Sequence, residues 1–306
     1  MSTINRSQLT LLAALTLTWG LNWPVMKLGV SGYPALTFRT ISMALSIPLL
    51  AAALRWMRLP FRVARRDWPA LLLLTMFNML IWHVCIVVAI KGLSSGRAAI
   101  LAYTMPIFAA VLGAIFFASV LARRTWIGVG ASSLGVVLLL WHEMSGMAGS
   151  PGSVLLALAS AASWAMGTLL LRRTRIEAPT LTIVFWMTVM TTGCMAGLAA
   201  LFEPLPWTWP SPPVLGAIAF NAVMVLGFAQ SAWFTLARSL PPMASSLSVM
   251  LIPVLGVFSG AIWLGEVLHW QDWAAVGLMV VAIGSVLWPA RAPAAAAPAQ
   301  PAEATR

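Results

Sequence analysis

The sequence predicts an all-α membrane protein: ten transmembrane helices arranged as two inverted five-helix repeats. Three observations predict it. The chain has 306 residues, of which 61% are hydrophobic and only 8% charged, with a mean hydropathy of +0.93. Soluble domains carry about half apolar and a quarter charged residues, so this chain has too few polar groups to cover a surface facing water. Apolar stretches long enough to cross a hydrocarbon core, about 20 residues for ~30 Å, follow one another along nearly the whole chain. A pattern in the first half also recurs in the second.

In order, the apolar stretches cover residues 8–30, 33–54, 68–90, 94–119, 124–141, 152–171, 179–201, 212–236, 241–264 and 270–288. The first is too long for a signal-peptide core and lacks a small-residue cleavage site, so it is expected to be retained as a helix. Beyond Trp288 the composition turns to Ala and Pro, with no apolar face to bury, and this tail is expected to be disordered. The expected organisation is therefore a first repeat over 1–141, a second over 142–288, and a cytoplasmic tail over 289–306.

Charge sets the expected topology. With the N-terminus on the cytoplasmic side, Arg6, the 55–66 arginines, Arg123, Arg124, the 172–175 arginines, Arg238, Arg291 and Arg306 all share that side. Only Lys27, Lys91 and Arg97 fall opposite, near helix ends, and Arg39 lies inside a span. Both termini are then cytoplasmic, and the net charge of +11 is explained by orientation without a nucleic-acid partner.

The repeat is visible residue by residue. The block from Pro106 to Leu121 and that from Pro253 to Leu268 share Pro, Gly-Ala-Ile and Val-Leu at one spacing, and Trp126, Gly130 and Trp141 meet Trp273, Gly277 and Trp288 at the same spacing. Trp19 pairs with Trp164 at nearly that spacing. Five helices per copy is odd, so the second copy enters from the opposite face. Inverted repeats are typical of transporters that rock one half against the other around a midplane site.

The residues also match a known pattern. Trp19 with Lys27, Pro34 with Arg39, the repeated Pro…Gly-Ala-Ile blocks and Gly265-Glu266 resemble the ten-helix EamA-type permeases of the drug/metabolite transporter superfamily, over essentially residues 8–288. Phe228 to Trp233 and the surroundings of Trp164 are similar to the bacterial aromatic amino-acid exporters. The resemblance implies alternating-access export of amino acids, aromatic or otherwise apolar, or of related metabolites across a bacterial inner membrane; multidrug or metabolite efflux, a nucleotide-sugar-type carrier and a non-transporting membrane partner are the alternatives. One departure is Ser119, where many members carry a glutamate that only Glu266 matches here.

The candidate binding residues are the polar and aromatic side chains set deep within spans. Trp19 and Asn22, with Trp23, form a stripe on the first helix. Asn78, Trp82 and His83 lie in the third, Tyr103 in the fourth, Trp164 beside Ser160 and Ser163 in the sixth, Gln230 and Trp233 in the eighth, and Ser245 and Ser248 in the ninth. Asn78 and His83 read equally as interhelical hydrogen-bonding groups. Tryptophans near span ends, such as Trp56, Trp68, Trp126, Trp141, Trp207, Trp209, Trp273 and Trp288, read as interfacial belts. Arg39 reads first as a side chain snorkelling to the interface, with a cation facing a substrate carboxylate as the other reading. Pro106 and Pro253 occupy equivalent mid-span positions, where each removes a backbone hydrogen bond, as a packing kink or a paired hinge.

The same inventory excludes classes of function. His83, His142 and His269 are scattered without metal-ligand spacing, Cys85 and Cys194 lie inside apolar spans, and no HExxH, GxSxG or P-loop motif occurs. No enzyme chemistry, metal or cofactor is expected. The expected partners are a small-molecule substrate and the bilayer, with the chain read as a monomer.

Cysteines placed at Arg62 and Glu143, in a background lacking Cys85 and Cys194, should label from opposite faces of the membrane. Labelling of both by one impermeant reagent in intact cells overturns the topology.

Overall fold

The computed structural model describes residues 6–118, 123–145, 150–203, 208–239 and 242–287. The tail at 289–306, together with Trp207 and Trp288, lies outside them. Ten helices account for almost all of the described residues, with no strand among them. They run Arg6–Gly32, Ala35–Trp56, Arg65–Ala89, Ser95–Phe117, Arg123–Ser145, Pro151–Arg173, Thr180–Phe202, Pro212–Leu236, Pro242–Leu264 and Trp270–Leu287. Seven of these are long and apolar enough to cross a membrane among the described residues. Proline punctuates the chain: Pro34 and Pro179 stand just ahead of helices 2 and 7, while Pro151 and Pro212 open helices 6 and 8, where the missing N–H costs nothing.

The packing obeys the repeat. Helix 1 packs on helix 9 as helix 6 packs on helix 4, and helix 3 on helix 6 as helix 8 on helix 1. Helix 2 against helix 7 and helix 5 against helix 10 are pairs that map onto themselves when the halves are exchanged.

Hydrocarbon decides which side chains face outward. Leu17, Leu45, Ile115, Phe116, Leu155, Val223 and Ile262 are exposed, whereas Arg39, Ser42, Thr75, Asn78, His83, Ser160, Thr188, Asn221 and Gln230 are buried. Several buried hydroxyls return to their own helix: Ser42, Thr75 and Thr188 donate to the carbonyl four residues back at 2.8, 2.8 and 2.9 Å. Such bonds are satisfied locally and need no neighbour. The exposed Trp56, Trp126, Trp141, Trp209 and Trp273 sit at helix ends as the belt reading expects, while Trp68 turns inward onto Trp186 at 5.3 Å between ring centroids.

One end of the bundle is closed by charges on helix termini. Glu203, just beyond helix 7, accepts from the Leu36 and Thr37 amides at 2.7 and 2.8 Å and from the Thr37 hydroxyl. Glu266 does the same for the start of helix 4, accepting from the Ser95 amide at 2.7 Å, the Ser95 hydroxyl at 2.8 Å and the Gly96 amide at 3.3 Å. Lys27 donates to the carbonyls of Ile90 and Lys91 at the end of helix 3, and Arg97 pairs with Asp272 at 2.7 Å. Anions at N-termini and cations at C-termini each complement the helix dipole.

Glu266→Ala should leave the first amides of helix 4 without their acceptor. Hydrogen bonds to a charged group are worth about 1.5–3 kcal/mol, so a clear fall in melting temperature is expected, partly recovered by Glu266→Gln. An unchanged melting curve would remove Glu266 from the closure.

Candidate functional site

The site begins with two irregular stretches of helix. Thr75–Ile81 in helix 3 and Asn221–Ala229 in helix 8 are π-helical, each in the third helix of its half. A π segment widens the turn and re-aims the side chains around it, and such segments recur at functional sites. The residues that follow them, Trp82 and His83 in one half and Gln230 in the other, all reach one central cavity. His83 and Gln230 stand 147 positions apart, the spacing of Pro106 and Pro253.

Six helices wall that cavity. Helix 1 contributes Trp19, Asn22, Trp23 and Met26; helix 2 Arg39; helix 3 Trp82, His83 and Ile86; helix 4 Tyr103 and Met105; helix 6 Trp164; and helix 8 Val225 and Gln230. The rings pack on one another. Trp164 meets Trp19 edge to face at 6.1 Å and Trp82 at 5.0 Å, and Trp23 meets Tyr103 at 6.3 Å. Each aromatic pair adds about 0.5–1.5 kcal/mol beyond the area it buries. The cavity measures about 50 Å³, and one water takes roughly 10–15 Å³ by that measure, so the space admits a few waters and no larger molecule.

Its polar groups are unusual for their lack of partners. Among the described residues, seven buried side-chain nitrogen or oxygen atoms have no hydrogen bond. Four of the seven belong to cavity residues: Asn22 Oδ1, Arg39 Nε and both ring nitrogens of His83. A buried polar atom without a partner costs about 1–3 kcal/mol, so their concentration in one place marks a surface made for something polar to enter.

The structure sorts the sequence-derived candidates. Trp19, Asn22, Trp82, His83, Tyr103, Trp164 and Gln230 come together on the cavity wall. Trp233 stands behind it, packed on Trp19 at 5.6 Å. Asn78 is turned toward helix 6, where its Nδ2 donates to the Trp164 carbonyl at 3.3 Å. The side chains of Ser245 and Ser248 lie outside the described ones. Helix 4 is interrupted at Tyr103 and Thr104, directly ahead of Pro106, whereas helix 9 runs unbroken through Pro253.

Arg39 corrects the reading of a snorkelling side chain. It is 2% exposed and lines the cavity, because Asn221 on helix 8 and Met26 on helix 1 draw the guanidinium inward: Nη1 donates to Asn221 Oδ1 at 3.0 Å and Nη2 lies 2.7 Å from Met26 Sδ. The signal was present in the sequence as a lone arginine within a span; its partner, far along the chain, was not. Met26, Ile86, Met105 and Val225 carried no sequence signal that separates them from packing residues.

Gly167 places Asn78 beside the site. A Cβ there would collide with the Asn78 carboxamide, whereas one on Gly216 would meet nothing within 4 Å. Gly167→Ala should therefore destabilise the protein by roughly 1–3 kcal/mol, the usual cost of overpacking, and lower its melting temperature. Gly216→Ala serves as the control and should not; equal melting curves for the two would sink the claim of close approach.

The comparisons agree with this architecture. The model of the EamA-like transporter family matches residues 6–141 and 152–288, and the chain belongs to that family. The uncharacterized inner membrane transporter YedA of Escherichia coli K12 is 27% identical, over 92% of this chain and 92% of its own. A Salmonella typhimurium protein named "Probable amino-acid metabolite efflux pump" is 25% identical over 88% of this chain and 91% of its own. The uncharacterized transporter YvbV of Bacillus subtilis is 26% identical over 94% of this chain and 93% of its own. A solved crystal structure, 20% identical, matches with a TM-score of 0.67 over 90% of this chain and 96% of that one, a likeness of fold alone.

Proposed function

We propose that this EamA-family membrane transporter exports amino acids with aromatic or other apolar side chains, or closely related metabolites, across the bacterial inner membrane by alternating access. The observation that carries the reading is the position of the cavity. It lies where Trp19 and Trp164, corresponding residues of two inverted halves, touch each other. Tryptophan faces suit an apolar side chain, and the unpartnered atoms of Asn22, Arg39 and His83 suit a small polar head. The Salmonella relative named as a probable efflux pump for amino-acid metabolites supports the same substrate class, and YedA, named as an inner membrane transporter, supports the inner membrane.

A cavity of about 50 Å³ is too small for an amino acid, so the walls part during the cycle. Pro106 and Pro253 are the proposed hinge pair. In the observed state helix 4 is interrupted ahead of its proline while helix 9 is continuous. Exchange of those two shapes between the halves is the motion that an inverted repeat permits. The arginine-rich face is the proposed cytoplasmic one, carrying both termini.

Purified protein in liposomes should take up labelled phenylalanine and leucine faster than serine. Trp164→Ala, losing an aromatic contact of about 0.5–1.5 kcal/mol, should slow phenylalanine several-fold and serine much less. Equal losses for both substrates at matched incorporation would return Trp164 to a packing role, and uptake of no amino acid would overturn the substrate class.

A further inference from the structure

We infer that Arg39 is the anion anchor of the cavity, so that the ligand it takes must carry a free carboxylate. The inference deepens the transport reading above and rests on the same cavity. A buried ion costs several kcal/mol unless paired, yet Arg39, 2% exposed, has no carboxylate partner among the described residues. The five carboxylates whose side chains are described are all engaged elsewhere. Glu203 is held by Leu36 and Thr37, Glu266 by Ser95 and Gly96, Asp272 by Arg97 and the His269 amide, and Asp67 and Glu177 by Arg66.

The groups that do touch Arg39 hold it without neutralising it. Asn221 spends its Nδ2 on the Ala217 carbonyl at 3.0 Å, which turns its Oδ1 toward the guanidinium, and Met26 offers only a weak thioether acceptor. Of the five N–H donors of a guanidinium, Nε has no partner at all. Guanidinium geometry fits a carboxylate through two parallel bonds. The remaining lining consists of aromatic and aliphatic side chains with the amides of Asn22 and Gln230 and the imidazole of His83, so a single guanidinium is matched to a monoanion. A phosphate, with its second charge, would find no second Lys or Arg on this wall.

The test uses the full chain in nanodiscs near neutral pH, with 3-phenylpropionate, 3-phenylpropanamide and phenyl phosphate as probes, read by thermal shift and tryptophan fluorescence. The acid is expected to bind at least tenfold more tightly than the amide and more tightly than phenyl phosphate. Arg39→Gln should remove the preference for acid over amide while leaving amide binding in place. Arg39→Lys, which keeps charge but loses the fork, should retain part of it and serves where the glutamine variant folds poorly. Equal binding of acid and amide to the unmodified protein, absence of acid binding, tighter binding of phenyl phosphate, or an acid preference that survives Arg39→Gln would each overturn the inference. Failure of amino-acid uptake in liposomes together with an Arg39-dependent acid preference would instead overturn the proposed substrate and leave the anion site standing.

Discussion

Hydrocarbon offers no hydrogen bonds, and the molecule is arranged around that constraint. Helices close the backbone on itself, and Ser42, Thr75 and Thr188 close their hydroxyls on the same helices. Leucine, isoleucine and phenylalanine then cover much of the outside, and the polar side chains deep within the spans turn inward. Glu203, Glu266, Lys27 and Asp272 spend their charges on helix ends and on Arg97 at one end of the bundle. After those demands are met, the polar atoms still without partners gather chiefly in one place, where Asn22, Arg39 and His83 meet a tryptophan wall.

The inverted repeat explains why that place is central. Residues on corresponding helices of the two halves converge there: Trp19 with Trp164, and, just past the π segments of helices 3 and 8, His83 with Gln230. The halves are alike in sequence pattern and in packing partners but not in local shape. Helix 4 breaks at Tyr103 and Thr104 while helix 9 does not. A pseudo-symmetric pair in two different conformations fits the proposed alternating access, in which the halves would exchange those shapes.

Much of this was legible in the sequence, and the failures have physical causes. Span positions followed from apolar length, because the bilayer imposes that length directly; the ten expected stretches lie within a few residues of the ten helices. Deep tryptophans separated from belt tryptophans because their neighbours differ: Trp19 has Asn22 one turn on and Trp164 has Ser163 beside it, whereas Trp56 and Trp126 stand within two residues of an arginine. Asn78 and Trp82, four apart, both meet Trp164, one at its carbonyl and the other ring to ring, yet only Trp82, just past the π segment that holds Asn78, lines the cavity. Nothing in residue order announces a π turn, which tertiary packing decides. Arg39 was misjudged for a similar reason. Whether an arginine about one turn into a helix reaches the interface depends on what lies beside it, and Asn221 comes from the other half of the chain.

The nature of that neighbour matters. An aspartate in place of Asn221 would hold Arg39 more strongly, and it would also cancel the charge, leaving a site indifferent to anions. An amide fixes the guanidinium in direction at small electrostatic expense and keeps its field directed into the cavity. The surrounding tryptophans reinforce the effect by lowering the local dielectric, since an ion's attraction for a partner grows as the dielectric falls. The stability lost by burying an uncompensated cation is recovered only when an anion arrives, so occupancy and stability are linked at this position: whatever binds Arg39 also stabilises the contacts among helices 1, 2 and 8 that hold it.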